Sequence, residues 1–234
     1  MTAMRLKRYP SPSGGIALGK MGVGATLLRS KLPTGARWVE YLESTGTQWI
    51  GTDFIPDQDS QLELTFENTN TDTTVYNLWP IGAFIGDSNT NTFGIRVTLG
   101  DSEIGCYAPP SSARAFYRGT NIGVKFTALF KDKTWSIANV TSGIAEDFQC
   151  RAPLPLFAIN WANTSSSYDV KGLSIARIYG FKAWSSSVLV RDFRPIAIGT
   201  TGYMLDLVSG EYLPYGNKGT GDFTIGPDIN APAI

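Results

Sequence analysis

From residue 61 to residue 67 the chain alternates polar and apolar side chains one for one: Gln61, Leu62, Glu63, Leu64, Thr65, Phe66, Glu67. A strand sends successive side chains to opposite faces. The run therefore predicts a strand that buries Leu62, Leu64 and Phe66 and turns Glu63, Thr65 and Glu67 to water. Further apolar runs of strand length lie at 38–43, 48–50, 81–85, 92–99, 123–130, 134–140, 156–159, 172–184 and 188–195. Polar clusters separate them, such as 87–91 and 163–167. Many short strands at this spacing, with no stretch of helical period, predict an all-β fold: a two-sheet antiparallel jelly-roll sandwich.

The first 37 residues break this pattern. Pro10 and Pro12 oppose a helix, and two short apolar runs, 16–18 and 25–28, are spaced by glycines. Pro33, Thr34 and Gly35 then punctuate the chain. Two parts follow: an extended N-terminal arm over 1–37 and a sandwich over 38–234.

Charge sharpens the division. The chain has 20 Lys/Arg and 20 Asp/Glu, so it is neutral overall. The arm nevertheless holds seven cations and no acid: Arg5, Lys7, Arg8, Lys20, Arg29, Lys31 and Arg37. The remainder carries 13 basic against 20 acidic residues, a balance of −7. A basic arm on an acidic body predicts an arm that docks on an acidic partner, and a body that does not bind nucleic acid. The run 14–28 is too rich in glycine, and too broken by Lys20, to cross a membrane, and it lacks the flanks of a signal peptide. Hydrophobic residues at 42% and aromatics at 12% suffice for a sizeable core.

Composition also limits the chemistry. With no histidine, the commonest general base near neutral pH and the commonest zinc ligand are both missing. Two cysteines, Cys106 and Cys150, form no disulfide framework or metal knuckle; a cross-strand pair and two free core thiols are both open, with free thiols expected. Glycines 14–24 lack the Gly-Lys-Ser/Thr ending of a phosphate loop.

The segment Tyr41-Leu42-Glu43-Ser44-Thr45-Gly46-Thr47-Gln48-Trp49-Ile50-Gly51-Thr52-Asp53-Phe54-Ile55-Pro56 resembles a known opening motif. It is similar to the Y-I-E-S-T-G-T-Q-Y-I-D-T-G start of concanavalin/laminin-G-like jelly-roll modules of phages and gut bacteria. Ile178–Lys182 with Leu189–Pro195 looks like that family's penultimate strands, and 203–212 with 219–227 like its closing hairpin. The two ends bracket nearly all of 38–227. Gly51 stands where the family usually has Asp. Each motif also has a structural reading. Gly46 and the hydroxyls around it suit a tight turn, Arg191-Asp192 an ion pair near a strand end, Pro195 an edge breaker, and Asp206 with Ser209-Gly210 a hairpin turn. Tyr41, Trp49, Phe181 and Phe193 are expected in the core or at its edges.

The resemblance implies a binding or virion-structural module. It makes the chain a phage virion protein, a head decoration, head fibre or tail component, made in the host cytoplasm and residing on the virion. The arm would attach it to other virion proteins, and the sandwich would act in adhesion as a lectin-like body, with a homo-oligomer expected. Host-surface or mucus glycans are the partners this implies, with no nucleic acid and no membrane. The alternatives are a carbohydrate-binding module of a bacterial surface protein and a jelly-roll glucanase.

Candidate sugar contacts are aromatics flanked by amides: Trp79 near Tyr76 and Asn77, and Trp161 between Asn160 and Asn163. Rings stack on the apolar side of a pyranose while amides bond its hydroxyls. For a glucanase the pair would be Glu63 and Glu67, about 7 Å apart on one strand face. The acid between them in such enzymes is Thr65 here, so no catalytic residue is expected. No cofactor is expected either. Calcium, which related laminin-G-like modules often bind, would draw on Asp53, Asp57 and Asp59, although their spacing matches no specific ligand loop.

Overall fold

The computed structural model describes residues 32–72, 74, 77–85, 92–98, 102–109, 114–162 and 164–231. The arm cations Arg5, Lys7, Arg8, Lys20, Arg29 and Lys31 lie outside these residues, as do Tyr76 and Asn163. The described residues form eighteen strands and no helix. In chain order they begin with β1 (Ala36–Trp38), β2 (Leu42–Thr45), β3 (Ile50–Gly51), β4 (Ser60–Asn68), β5 (Leu78–Phe84) and β6 (Thr92–Thr98). Next come β7 (Glu103–Tyr107), β8 (Arg114–Arg118), β9 (Lys125–Lys131), β10 (Thr134–Ile137), β11 (Val140–Thr141) and β12 (Pro155–Leu156). The last are β13 (Ile159–Asn160), β14 (Val170–Lys171), β15 (Ile175–Ser185), β16 (Val188–Ile198), β17 (Thr201–Asp206) and β18 (Thr224–Ile225).

They make two sheets. The first runs β1-β16-β15-β4-β9-β10-β11, with β17 also on β16 and β2 linking β15 to β18. The second runs β14-β13-β5-β6-β7-β8, with β12 joining β3 to β5. The expected all-β jelly-roll sandwich is the fold found. Strand pairing is antiparallel with one exception: β13 runs parallel to β5 through Ile159–Gly82 and Asn160–Ala83. The cause is local. Phe157, at φ 67°, turns the chain between β12, which is antiparallel to β5, and β13.

The alternation in β4 holds from Leu62 to Phe66 and fails at Glu67, which is buried rather than turned to water. Leu62, Leu64 and Phe66 are buried, and they join one core with Phe93, Ile95, Val97, Ile104 and Cys106 of the facing sheet. Phe93 lies at its centre, with ring centroids 4.9 Å from Phe130, 5.3 Å from Trp135 and 5.1 Å from Phe148. Each such ring, fully buried, contributes roughly 1.5–3 kcal/mol of transfer free energy. Phe181 and Phe193 are direct cross-strand partners with rings 5.9 Å apart, fully inside the core. Tyr41 and Trp49 are half-buried at the edges, against Tyr179 and Tyr168. Cys106 and Cys150 are both buried and free.

Three local expectations take a different form. Arg191 and Asp192 do not pair, because neighbours along a strand face opposite ways. Asp192 instead bonds Arg194, two residues on, at 2.8 Å, and Arg191 approaches Asp206 at 3.9 Å. Pro195 does not break the strand, since β16 continues to Ile198. Its cross-strand neighbour Met204 directs its N–H to the Tyr215 carbonyl, so no bond between the two strands is lost at the proline. The boundary expected at 37 also falls inside β1, where Ala36 and Arg37 pair with Ile198 and Ala197.

The opening motif closes the sandwich. Between β2 and β3 the chain turns at Gly46, at φ 96°. The buried Gln48 side chain fills the turn: its Oε1 accepts from the Thr45 N–H at 2.8 Å and the Ser44 hydroxyl at 3.1 Å. Its Nε2 donates to the Asp222 carbonyl at 3.1 Å. The Thr220 N–H reaches the Thr47 carbonyl at 3.0 Å, and the Thr47 hydroxyl donates to the Thr220 carbonyl at 2.8 Å. A Cβ on Gly219 would lie 1.9 Å from the Thr47 carbonyl oxygen, so only glycine permits this approach. The two ends that the sequence motif brackets are thus bonded to each other.

Candidate functional site

The outer face of the second sheet carries a trough. Along β5 and β6, Ile81, Ala83, Phe93 and Ile95 point into the core, so Gly82 and Gly94 point outward, paired across the strands. Neither has a side chain to fill the space above. A Cβ on Gly94, at φ 140°, would lie 2.3 Å from the Ile81 carbonyl oxygen, so no other residue fits. Gly105 of β7 serves the same end, since a Cβ there would meet the Tyr107 ring at 2.6 Å. The bare positions let large rings lie against the sheet. Trp79 lies beside Gly82, and Tyr107 lies back beside Gly105.

These rings form a satellite cluster separate from the main core: Trp79, Phe84, Tyr107 and Ile159, with Phe116 and Trp161 packed on it. Trp79 and Tyr107 are 5.7 Å apart, and Trp161 meets Phe84 edge-on at 4.4 Å. Together they enclose an open cleft of about 370 Å³. Its remaining lining includes Asn77, Thr92, Arg96, Arg114 and Lys171, with no aspartate or glutamate among the described residues. Arg96 and Arg114 sit over the Tyr107 ring at 4.8 and 5.1 Å, and Lys171 sits 4.7 Å from the centre of Trp161. Such cation–ring contacts stabilise by roughly 0.5–2 kcal/mol each; Lys171 also pairs with Asp169 at 3.4 Å.

Seven buried side-chain polar atoms among the described residues lack a hydrogen-bond partner. Three belong to this cleft: Arg96 Nε, the Tyr107 hydroxyl and Trp161 Nε1. A buried donor left unpaired costs about 1–3 kcal/mol. Burial pushes the Tyr107 phenol above its ordinary value, with Arg96 and Arg114 pulling the other way.

No protein-family model matches the chain, and no curated protein matches it. Among solved structures it is similar to the mouse laminin alpha1 chain, domains LG4-5, at 15% identity and a TM-score of 0.40. The match covers 66% of this chain and 44% of that one, so the chain spans less than half of that structure. This likeness assigns no role to any residue.

The cleft brings together Trp79, Asn77 and Trp161, three of the sequence's sugar-contact candidates. Asn160 is not one of its walls. It is fully buried, and its side chain is saturated: Nδ2 donates to the Pro153 and Ser167 carbonyls, and Oδ1 accepts from Ala162 and Asp169. Asn160 therefore fixes the loop that carries Trp161 and has no bond left for a ligand. Arg96, Tyr107, Arg114 and Lys171 were not singled out by the sequence. The readable signal was one glycine in the middle of each of three successive strands, at Gly82, Gly94 and Gly105.

The other candidates lie elsewhere. Glu63 and Glu67 are on the outer face of the first sheet, across the sandwich from the cleft. Glu67 accepts from Arg177 at 3.0 Å and from the Tyr179 hydroxyl, and Arg177 also bonds Glu43 at 3.0 Å. Tyr41 lies against both Arg177 and Tyr179. Glu63 pairs with Lys182 at 3.7 Å, and Thr65 bonds Thr127. Asp53, Asp57 and Asp59 do not form a calcium ligand set. Asp57 caps its own turn through the Asp59 N–H and the Ser60 hydroxyl, whereas Asp53 accepts from Tyr168. Among the described residues no group of acids, cysteines or histidines is placed to hold a metal. A second hollow of about 550 Å³, where three turns meet at Gln58, Asp132 and Ser186, has no aromatic wall for a sugar to stack on.

Proposed function

We propose that this chain is a non-enzymatic adhesion module of a phage virion, binding glycans in the cleft on its second sheet and held to the particle by its basic arm. The observation that carries the binding reading is the cleft itself. A pre-formed hollow has aromatic walls, an amide and three unpaired buried polar atoms, the composition of a ligand site. A structural surface would have closed over those rings or paired those atoms. The attachment reading rests on the resemblance of the opening motif and on the six cations of residues 1–31, a stretch that holds no acid. The non-enzymatic reading is supported by Glu67, whose carboxylate is bonded by Arg177 and Tyr179.

One experiment addresses both binding and turnover. The purified chain is run through gels containing soluble plant, algal, bacterial and mucus glycans, and the same mixtures are assayed for new reducing ends. Retarded migration on at least one glycan is expected, lost in Trp161→Ala, with no new ends. Equal retardation of wild type and Trp161→Ala removes the cleft from the reading. Release of ends that stops in Glu67→Gln makes the chain a hydrolase.

A further inference from the structure

We infer that the cleft takes an anionic sugar residue, one carrying a carboxylate or a sulfate ester, and that Arg96 and Arg114 contact its charge. The inference rests on the glycan-binding reading and goes beyond it by fixing the ligand's chemical class.

The argument is one of donors against acceptors. A neutral sugar offers hydroxyls, and sites that bind them need acceptors as well as donors. This lining is dominated by donors. Arg96, Arg114, Lys171 and Trp161 Nε1 only donate, while Asn77, Thr92 and the Tyr107 hydroxyl are the side chains that can accept. Among the described residues no carboxylate lines the cleft. Glu103, on the same face of β7, is bonded to Arg118 at 3.1 Å and pairs with neither Arg96 nor Arg114. Elsewhere on the body, arginines have acids: Arg37 with Asp228, Arg118 with Glu103, Arg177 with Glu43 and Glu67, and Arg194 with Asp192. No such pair is found for Arg96 or Arg114 among the described residues.

Placement supports the same ligand. Arg96, Tyr107 and Arg114 stand on the adjacent strands β6, β7 and β8, and Arg114 is the direct cross-strand partner of Tyr107. Two strand spacings and a two-residue offset in register put the arginine backbones roughly 12 Å apart, with the buried Tyr107, whose hydroxyl is unpartnered, beside both. A planar guanidinium suits the two oxygens of a carboxylate or sulfate, and such charge-assisted bonds are about twice as strong as neutral ones. The Tyr107 hydroxyl, kept protonated, supplies a further donor. Beside the cations, Trp79 and Trp161 offer apolar faces for the ring that bears the anion. The positive cleft sits on a body whose overall balance is negative, so the charge is local to the site.

The test is an array of matched glycans, each chain printed with and without its sulfate or uronate group, probed with the full chain. Wild type should bind the anionic members at least about tenfold more tightly than their neutral counterparts, the loss expected for one charged hydrogen bond. The double variant Arg96→Gln/Arg114→Gln, and the milder Arg114→Gln alone, should lower that preference while melting like wild type. A variant with Arg5, Lys7 and Arg8 changed to Gln should keep it, because arm binding to polyanions would not discriminate at the cleft. The sulfate and uronate arms show which anion is preferred. Equal binding of neutral members, or a preference that survives the double variant, overturns the inference while leaving the glycan reading in place. If no glycan of either kind is bound, both fall.

Discussion

Substituting Gln48 with Met removes the clasp between the two ends of the sandwich at nearly constant side-chain volume. In the native turn Gln48 serves two backbone groups with no obvious substitute, accepting from the Thr45 N–H at 2.8 Å and donating to the Asp222 carbonyl at 3.1 Å. The Ser44 hydroxyl loses less, because it also donates to the Gln48 carbonyl at 3.1 Å. Two stranded buried backbone groups would cost about 1–3 kcal/mol each, and the exposure of both Thr45 and Asp222 trims the total to about 2–4 kcal/mol. At about 2–4 °C per kcal/mol for a body of this size, the melting temperature should drop by roughly 5–15 °C. Thermal unfolding by circular dichroism measures this, with Gln61→Met as control, since Gln61 makes only an exposed 3.5 Å contact to Ser187. Hydrogen exchange should locate the damage, with the Thr220 amide exchanging faster in Gln48→Met. If the two variants melt within about 2 °C of each other, the clasp is not what the sequence motif is for.

Removal of residues 1–31, which stops short of β1, should leave a chain with β-type circular dichroism and a cooperative melt that no longer joins its particle or oligomer; normal assembly would make the arm dispensable, and failure to fold would place it in the core. Burial pushes both thiols up, Cys106 and Cys150 alike. Their contribution to stability is therefore whole below the unfolded thiol value near 8.5 and is lost as pH rises through it, by up to about 1.4 kcal/mol per pH unit per thiol. Denaturant midpoints at pH 7.5, 8.5 and 9.5 should fall with pH, and Cys106→Ala should flatten the slope; a flat wild-type profile refutes the burial argument.

The strands were legible because β4 and its neighbours bury one face each, and burial of one face writes itself as alternation. The parallel pair β13–β5 was not legible, because two residues carry no pattern and the turn that makes it, at Phe157, uses a residue type that gives no warning. Trp79 and Trp161 were found because an aromatic beside an amide is a local signal, although Trp79 lies in β5 and is buried. Arg96 and Arg114 were missed because what marks them is pairing across strands. The one acid on β6, β7 and β8, Glu103, goes to Arg118 and leaves them without a partner among the described residues, and adjacency across strands is not readable along the chain. Asn160 was misjudged for the complementary reason: an amide that ligates a sugar and one that ties a loop look the same until its four partners are seen.

The start and end of the body meet at one seam. Ile229 donates to the Trp38 carbonyl at 3.1 Å, Glu40 to the Pro227 carbonyl at 2.9 Å, and Arg37 holds Asp228 at 2.7 Å. For a module pulled between an anchored arm and a ligand, this sets the path of the load. Tension enters at β1, a three-residue strand at the rim of the first sheet, and must cross the core to reach a cleft on the far face of the second. The seam and β1 are the weakest links on that path, so they peel first. Each residue released lengthens the tether by up to about 3.5 Å, yet Gly82, Gly94, Gly105 and the rings beside them stay unstrained. The molecule would yield at its mooring before it loosened its grip.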